Sequence, residues 1–523
     1  MVKSMKRIIS EQEFLEIFQK QASEILKICS YLQEKGNKAP LHTKRFYGNI
    51  TTQSRILEDL LDDYGAKNNK TWVFFRELIA SARSMGFCSY MLKHIQNRYT
   101  LYELHDENEK IFFEQTKKSQ DFLNNAIKGV FKCISEEGQR LDLKFLEGTL
   151  QENDFLDLAG DKMLPHDVDE GFSSREEENA VKIATDYLNI MKDHEDFQFD
   201  REHTVQEIEE LIPESISEEK LRRLELSIHN LQSAYDTYIK DTKIENNNGL
   251  LSEMRGYISV ALHLAEIATT LSHFYERHES EVRHEIVREK IEKIIDKNKV
   301  LDCIANYCLF SCYQFLEKGK DLAGKLLKQY VVVESIEVNI PTYMGFHVRP
   351  AALVMKIVNH YGSETKMQLD DEVYDAGSAL DIFRANEKIS AKKRKLIKNE
   401  ITSCTQEGNL TTEQAKSIVH KEMLRLINEG KIFSYDTITP GDLACIDEKD
   451  SLIGPAEIKP LVAAEIKRLV AEGKMDIKID IQVNFSGDRR ALKDIAALAE
   501  ANYGEDEEGN NVELPSQIDY LRK

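Results

Sequence analysis

Apolar residues recur at helical spacing from the start of the chain to about residue 330. In Phe14–Leu32 they fall at Phe14, Ile17, Phe18, Ala22, Ile25, Leu26, Cys29 and Leu32, one face of a 3.6-residue period. Comparable stretches cover about 53–64, 71–104, 108–134, 175–192, 216–240 and 250–329. Only Pro40, Pro165 and Pro213 interrupt this region, and they fall in or beside breaks. The acidic, turn-rich segment 152–175 and the run Asn246-Asn247-Asn248-Gly249 read as further breaks. The pattern predicts an all-α region: a helical domain over 1–152, and over 175–329 either a second one or a continuation of the same bundle.

The pattern changes at Tyr330. Val331–Ile340 is β-branched and partly alternating, which predicts a strand. Pro341–Gly345 reads as a loop and Pro350–His360 as an apolar helix. Glu364–Leu369 and Val373–Ala376 read as two short strands, and Ser378–Phe383 as a short helix. Alternation returns in Asp476–Phe485, followed by a helix over Arg489–Ala501 that Ser486-Gly487-Asp488 would start. Between these pieces, residues 386–474 read as a helical insert. It opens with the basic cluster Lys388, Lys392, Lys393, Arg394, Lys395 and Lys398, most simply a solvated helix face and otherwise a contact for an acidic partner. It also contains a two-copy repeat: Glu422–Lys431 matches Glu465–Lys474. Each copy ends in Gly-Lys, a glycine helix stop, so a duplicated helical hairpin is expected. The last segment, 504–523, is acidic and is expected to fray.

Composition narrows the class. At roughly 100–200 residues per domain, 523 residues allow several domains. Hydrophobic residues at 41% and charged residues at 31% suit a soluble globular chain. A formal charge of −21 argues against broad nucleic-acid binding, which needs a positive surface. The basic start Met1–Ile9 lacks an apolar core, so no signal peptide is read there. The most apolar stretch, near Ile304–Leu316, is too short and interrupted to span a bilayer. A cytoplasmic chain with no membrane partner is expected. Eight scattered cysteines do not suggest a disulfide framework.

The candidate chemistry lies in Gly345-Phe346-His347-Val348-Arg349-Pro350-Ala351-Ala352. A phosphoryl carrier needs a nucleophile that is neutral near physiological pH, which imidazole supplies. The charged product needs positive partners. A helix N-terminus offers free N–H groups and a partial positive charge, and arginine offers a planar fork. His347 stands just before a predicted helix, Arg349 is two residues on, and Pro350 suits a first turn.

This octapeptide resembles the active-site signature of the HPr family, the histidine phosphocarrier proteins of the bacterial sugar phosphotransferase system. The resemblance implies an open-faced β-sandwich of four antiparallel strands with three helices on one face. It covers 331–385 and 475–503, so the expected fold class is multidomain: an all-α N-terminal region, then an α+β HPr-like domain split by the insert. It implies His347 as phosphoryl acceptor, Arg349 as phosphate partner, and Ser378 as the regulatory serine, which otherwise reads as a plain helix N-cap. Two departures stand out. Gly377 occupies a position where the family carries lysine, and the insert replaces a short loop. The insert follows the short helix whose apolar residues help dock partners in the family, so it would block, replace or regulate that surface.

Other candidates have plainer readings. Cys303, Cys308 and Cys312 are expected to pack in a buried helix. His263, Glu266, His273 and Glu276 are expected to form a polar helix face, with one Glu-x-x-His nearby at Glu281–His284. No cofactor and no metal are expected. The functional expectation is a phosphocarrier or phosphorylation-responsive regulator, not a turnover enzyme. A phosphotransferase-system kinase or other donor protein would phosphorylate it. Unknown protein partners, or a second copy of the chain, would read its state through the helical region and insert. The alternative is a non-phosphorylated scaffold that uses the HPr-like fold for docking.

Overall fold

The computed structural model describes all residues except 1–7, 36–42, 103, 105–106, 146–149, 158–163, 165–175, 198, 280–284, 407, 445–451, 507–508 and 523. The chain is mostly helical with a small antiparallel sheet. It divides into two compact units, Met1–Leu326 and Leu327–Lys523. Of the expected break at 152–175, the described part holds a short helical turn, Glu152–Phe155, and residues 158–163 and 165–175 lie outside the described residues.

The first unit is helical throughout its described residues. Its central helix, Val73–Arg98, buries Phe75, Leu78, Ile79, Ala82, Met85, Cys88, Leu92 and Ile95. It packs against Lys44–Asp63, Glu109–Arg140 and Gly249–Glu279. The apolar face of Phe14–Leu32 is carried by two helices, Glu11–Gln21 and Ser23–Lys35. The Ala22 N–H still bonds to Phe18 O between them, so the face continues. Trp72 anchors this end, with ring centroids 4.8 Å from Phe14 and 5.0 Å from Phe18. Cys303, Cys308 and Cys312 are buried. The first two lie in a wide i→i+5 helical turn, Cys303–Leu309. No described helix is long and apolar enough to cross a membrane.

In the second unit, strands β1 (Val333–Asn339), β2 (Thr365–Leu369), β3 (Glu372–Asp375) and a later strand β6 (Gln482–Asp488) form one sheet in the order β1-β6-β2-β3. All its pairings are antiparallel. Helices Val348–Tyr361, Ala379–Glu400 and Arg489–Glu500 supply the apolar side chains of its core. Phe346, Val354, Ile357, Met367, Ile382, Phe485, Leu492 and Ile495 meet there.

The insert differs from its expected form. It contains strands β4 (Ile432–Ser434) and β5 (Met475–Ile477), paired with each other, so each repeat is helix–turn–strand and not a helical hairpin. Gly430 and Gly473 hold φ of 67° and 69°, the left-handed turn that stops each helix and reverses the chain. Phe433 pairs with Asp476 and Leu410 with Ile453. Both pairs are separated by the repeat offset (476 − 433 and 453 − 410 both equal 43). A residue that pairs with its own repeat mate lies on a local two-fold axis, so the two copies face each other as a pseudo-dimer. Their ion networks match as well. Arg425 donates to Glu422, Glu429 and the Glu400 carbonyl. Arg468 donates to Glu465, Glu472 and the Asp442 carbonyl.

This pseudo-dimer has its own core, built on Val419, Met423, Leu426, Val462, Ile466 and Leu469. The short helix expected over Ser378–Phe383 runs on to Glu400, carrying the basic cluster with it. It gives Ile382, Ala385 and Ile389 to the sheet core and Ile397 to the insert core. The expected boundary at 386 therefore falls inside a continuous helix. The alternating run 476–485 is likewise divided: its first residues belong to β5 and its last to β6. Ser486-Gly487-Asp488 completes β6, with Gly487 opposite both Glu334 and Thr365, and it also starts the next helix as expected: Asp488 is the N-cap of Arg489–Glu500 and accepts from Arg490 N at 2.9 Å.

The final segment is also unlike its expected form. Asn502–Gly504 is a helical turn, Glu505 pairs with Asn511, and Ser516–Arg522 forms further helical turns. Leu514, Ile518 and Leu521 are buried in the sheet core. The buried Asp494 carboxylate accepts hydrogen bonds from Tyr361 (2.7 Å), Tyr520 (2.8 Å) and Gln517 (2.7 Å), which ties this segment down.

Candidate functional site

His347 is the N-cap residue of the helix Val348–Tyr361, and its side chain makes no capping hydrogen bond. The first-turn N–H groups have no intrahelical acceptor and face the space beyond the helix end. The preceding loop is bent by positive φ at Met344 (50°) and Gly345 (62°). Gly345 is required there, because a Cβ at this position would overlap the Asn386 amide oxygen. That oxygen accepts from Phe346 N at 2.9 Å, and the Asn386 amide donates to Met344 O at 3.2 Å. Asp476 of β5 accepts from Met344 N at 2.9 Å. Buried Lys393 stands 3.7 Å from the same carboxylate, and burial pushes its ammonium pKa down against the pull of Asp476. The insert and its leading helix thus fix the loop before His347. Tyr343 packs edge-on against the His347 ring at 5.3 Å and against Tyr435 of the insert at 5.4 Å.

Glu505 faces His347 from the folded C-terminal segment. Its Oε2 lies 2.8 Å from His347 Nε2, and its Oε1 lies 3.9 Å from Arg349 Nε. The Glu505 side chain is 4% exposed, that of His347 24% and that of Arg349 34%. At 3.9 Å the arginine contact is an ion pair without a hydrogen bond. Arg349 Nε is buried and has no hydrogen-bond acceptor among the described residues. A buried guanidinium donor without an acceptor costs free energy that an incoming oxyanion would recover. A partly exposed imidazole, a helix N-terminus and an unsatisfied arginine donor make an arrangement able to receive a tetrahedral anion.

The third residue singled out by sequence, Ser378, is the N-cap of Ala379–Glu400 and accepts from Asp381 N at 3.3 Å. No hydrogen bond or ion pair joins it to His347 among the described residues. Glu505, Asn386, Asp476 and Tyr343 escaped sequence reasoning. A usable signal was present for Glu505: Leu514, Ile518 and Leu521 recur at helical spacing in a segment otherwise read as frayed.

In the first unit, His263 pairs with Glu266 at 2.8 Å and His273 with Glu218 at 2.6 Å, while Glu276 accepts from Glu218 N. These contacts make a paired polar helix face. No group of three potential ligands that could hold a metal occurs among the described residues. Glu281–His284 lies outside the described residues.

Comparison of the chain with family models, with curated proteins and with solved structures found no match.

Proposed function

We propose that residues 331–385 and 475–503 form an HPr-like phosphocarrier domain and that His347 accepts a phosphoryl group from a phosphotransferase-system kinase. The chain acts in the cytoplasm as a phosphorylation-responsive regulator, signalling to protein partners through its helical unit and insert. The observation that carries this reading is the buried Arg349 Nε without an acceptor, set beside His347 at a helix N-cap. The four-stranded antiparallel sheet and the order strand, loop, helix, strand, strand, helix, strand, helix support it, since the resemblance at 345–352 implies the same order. The insert grips the loop before His347 through Asn386 and Asp476, which gives phosphorylation a route to a second core. Incubation with phosphoenolpyruvate and the general phosphotransferase enzyme is expected to give an acid-labile, base-stable adduct. Absence of the adduct, or its survival in His347→Ala, overturns the reading.

A second reading is favoured by one observation: the Glu505 carboxylate already bonds to Nε2 of the His347 ring. On that reading the chain is a non-phosphorylated scaffold closed at this site. His347→Ala then leaves binding of protein partners unchanged.

A further inference from the structure

The contact between His347 and Glu505 has a direction, because it engages one ring nitrogen and leaves the other. Glu505 bonds to Nε2 at 2.8 Å, and no described hydrogen bond reaches Nδ1. A carboxylate only accepts, so a neutral imidazole facing it carries its proton on Nε2 and its lone pair on Nδ1. Glu505 is held in place by its backbone. Its N–H donates to Asn502 O at 3.2 Å, and its carbonyl accepts from the Asn502 amide at 2.8 Å. Next to it, Tyr503 donates to Asn339 O of β1 at 2.8 Å. The chain beyond is sealed by Leu514, Ile518 and Leu521 in the core and by the bonds to Asp494. This many constraints on a segment with no further core of its own place one buried carboxylate against one ring nitrogen.

We infer that Glu505 is the positioning residue for phosphoryl acceptance, fixing the His347 tautomer so that Nδ1 attacks. The inference rests on the carrier reading above. In the step, the Nδ1 lone pair forms the N–P bond while the bond from phosphorus to the donor's leaving atom breaks, and the leaving group departs with that electron pair. The ring gains positive charge and keeps its Nε2 proton. The Glu505 carboxylate stabilises that charge through the bond it already makes, as a carboxylate does behind a reactive histidine in a hydrolase triad. The Arg349 donor that lacks an acceptor turns to the phosphoryl oxygens. Glu505 therefore serves both states of the site, and the tail that carries it is part of the acceptor.

The test uses the full-length chain and potassium phosphoramidate, a small donor that needs no protein docking; its P–N bond breaks and ammonia leaves with a proton from solvent. Wild type, Glu505→Gln and Glu505→Ala are compared, with folding checked by circular dichroism. The ¹⁵N spectrum of the His347 ring is expected to show a protonated Nε2 and an unprotonated Nδ1 in wild type, and a tautomer mixture in Glu505→Ala. The ³¹P spectrum is expected to show phosphorylation on Nδ1 alone in wild type. Loss of the orienting partner is expected to slow adduct formation roughly 10- to 100-fold in the near-isosteric Glu505→Gln. An adduct that forms at an undiminished rate in both variants, or a wild-type ring protonated on Nδ1, overturns the role of Glu505 alone. No adduct on His347 in wild type overturns the carrier reading and this role with it.

Discussion

Two arginines in this chain stand among carboxylates and end in opposite conditions. In the first unit, Arg76 is 1% exposed, and its guanidinium reaches Glu58 at 2.7 Å, Asp62 at 2.8 Å and Glu77 at 3.1 Å. Burial works against its charge, yet Asp62, Glu77 and Glu58 outweigh it and raise its pKa above the ordinary value. In the second unit, Arg349 is one-third exposed and, among the described residues, has one carboxylate 3.9 Å away and a buried Nε without an acceptor. All three nitrogens of the first guanidinium are engaged in hydrogen bonds. The second has unspent hydrogen-bonding capacity beside the His347 imidazole. Saturation suits a group that holds a fold together, and residual capacity is what the proposed phosphate partner requires.

The comparison is broken most readily by removing the saturated side. Arg76→Ala leaves the buried Glu58 and Glu77 and the partly exposed Asp62 without their shared partner and is expected to cost about 3–5 kcal/mol in urea unfolding of the first unit. A near-neutral result would mean that the network is not stabilising. Next comes a saturated carboxylate in the second unit. Asp494→Ala removes the acceptor for Tyr361, Tyr520 and Gln517 and is expected to cost about 2–3 kcal/mol. It should also raise amide exchange across 502–522.

A pH effect of smaller size is expected in the first unit. Burial, then the neighbouring His263, Lys44 and Arg98, lower the His94 pKa to about 4 from its usual 6.5. Its folded form then binds fewer protons than its unfolded form between those values. The contribution is present above pH 6.5 and is lost as pH falls toward 4. With the ring partly open to solvent, its size is on the order of 1 kcal/mol. His94→Gln should flatten that part of the stability profile. The smallest stability change is expected for Arg349→Ala, within about 0.5 kcal/mol, because the arginine makes no hydrogen bond among the described residues. The same variant should accept phosphoryl groups poorly. A large stability loss there would place Arg349 with Arg76 and remove the contrast.

Periodicity made the helical first unit legible, as it did β1, β2, β3 and the helix behind His347. The octapeptide 345–352 made the placing of His347 and Arg349 at one helix start legible, because histidine, helix start and arginine are adjacent in sequence. What stayed hidden is non-local or shared between modules. The helix Ala379–Glu400 serves two cores with one buried stripe, Ile382, Ala385, Ile389, Lys393 and Ile397, so the basic composition from Lys388 looks like a boundary and is the exposed side of a helix that passes from one core to the next. The run 476–485 keeps one alternation while passing from β5 to β6, so its pattern gave no sign of the break. Glu505 lies 158 residues from His347, and its acidic neighbours concealed the apolar spacing that anchors it.

The central claim is that His347 carries a phosphoryl group held by Arg349. The most direct measurement is a ³¹P spectrum of the full-length chain after incubation with phosphoenolpyruvate and the general phosphotransferase enzyme, with Arg349→Ala and His347→Ala run beside it. One phosphohistidine signal is expected, lost in His347→Ala and formed much more slowly in Arg349→Ala. A wild-type spectrum without that signal, or a signal that persists in His347→Ala, would contradict the account.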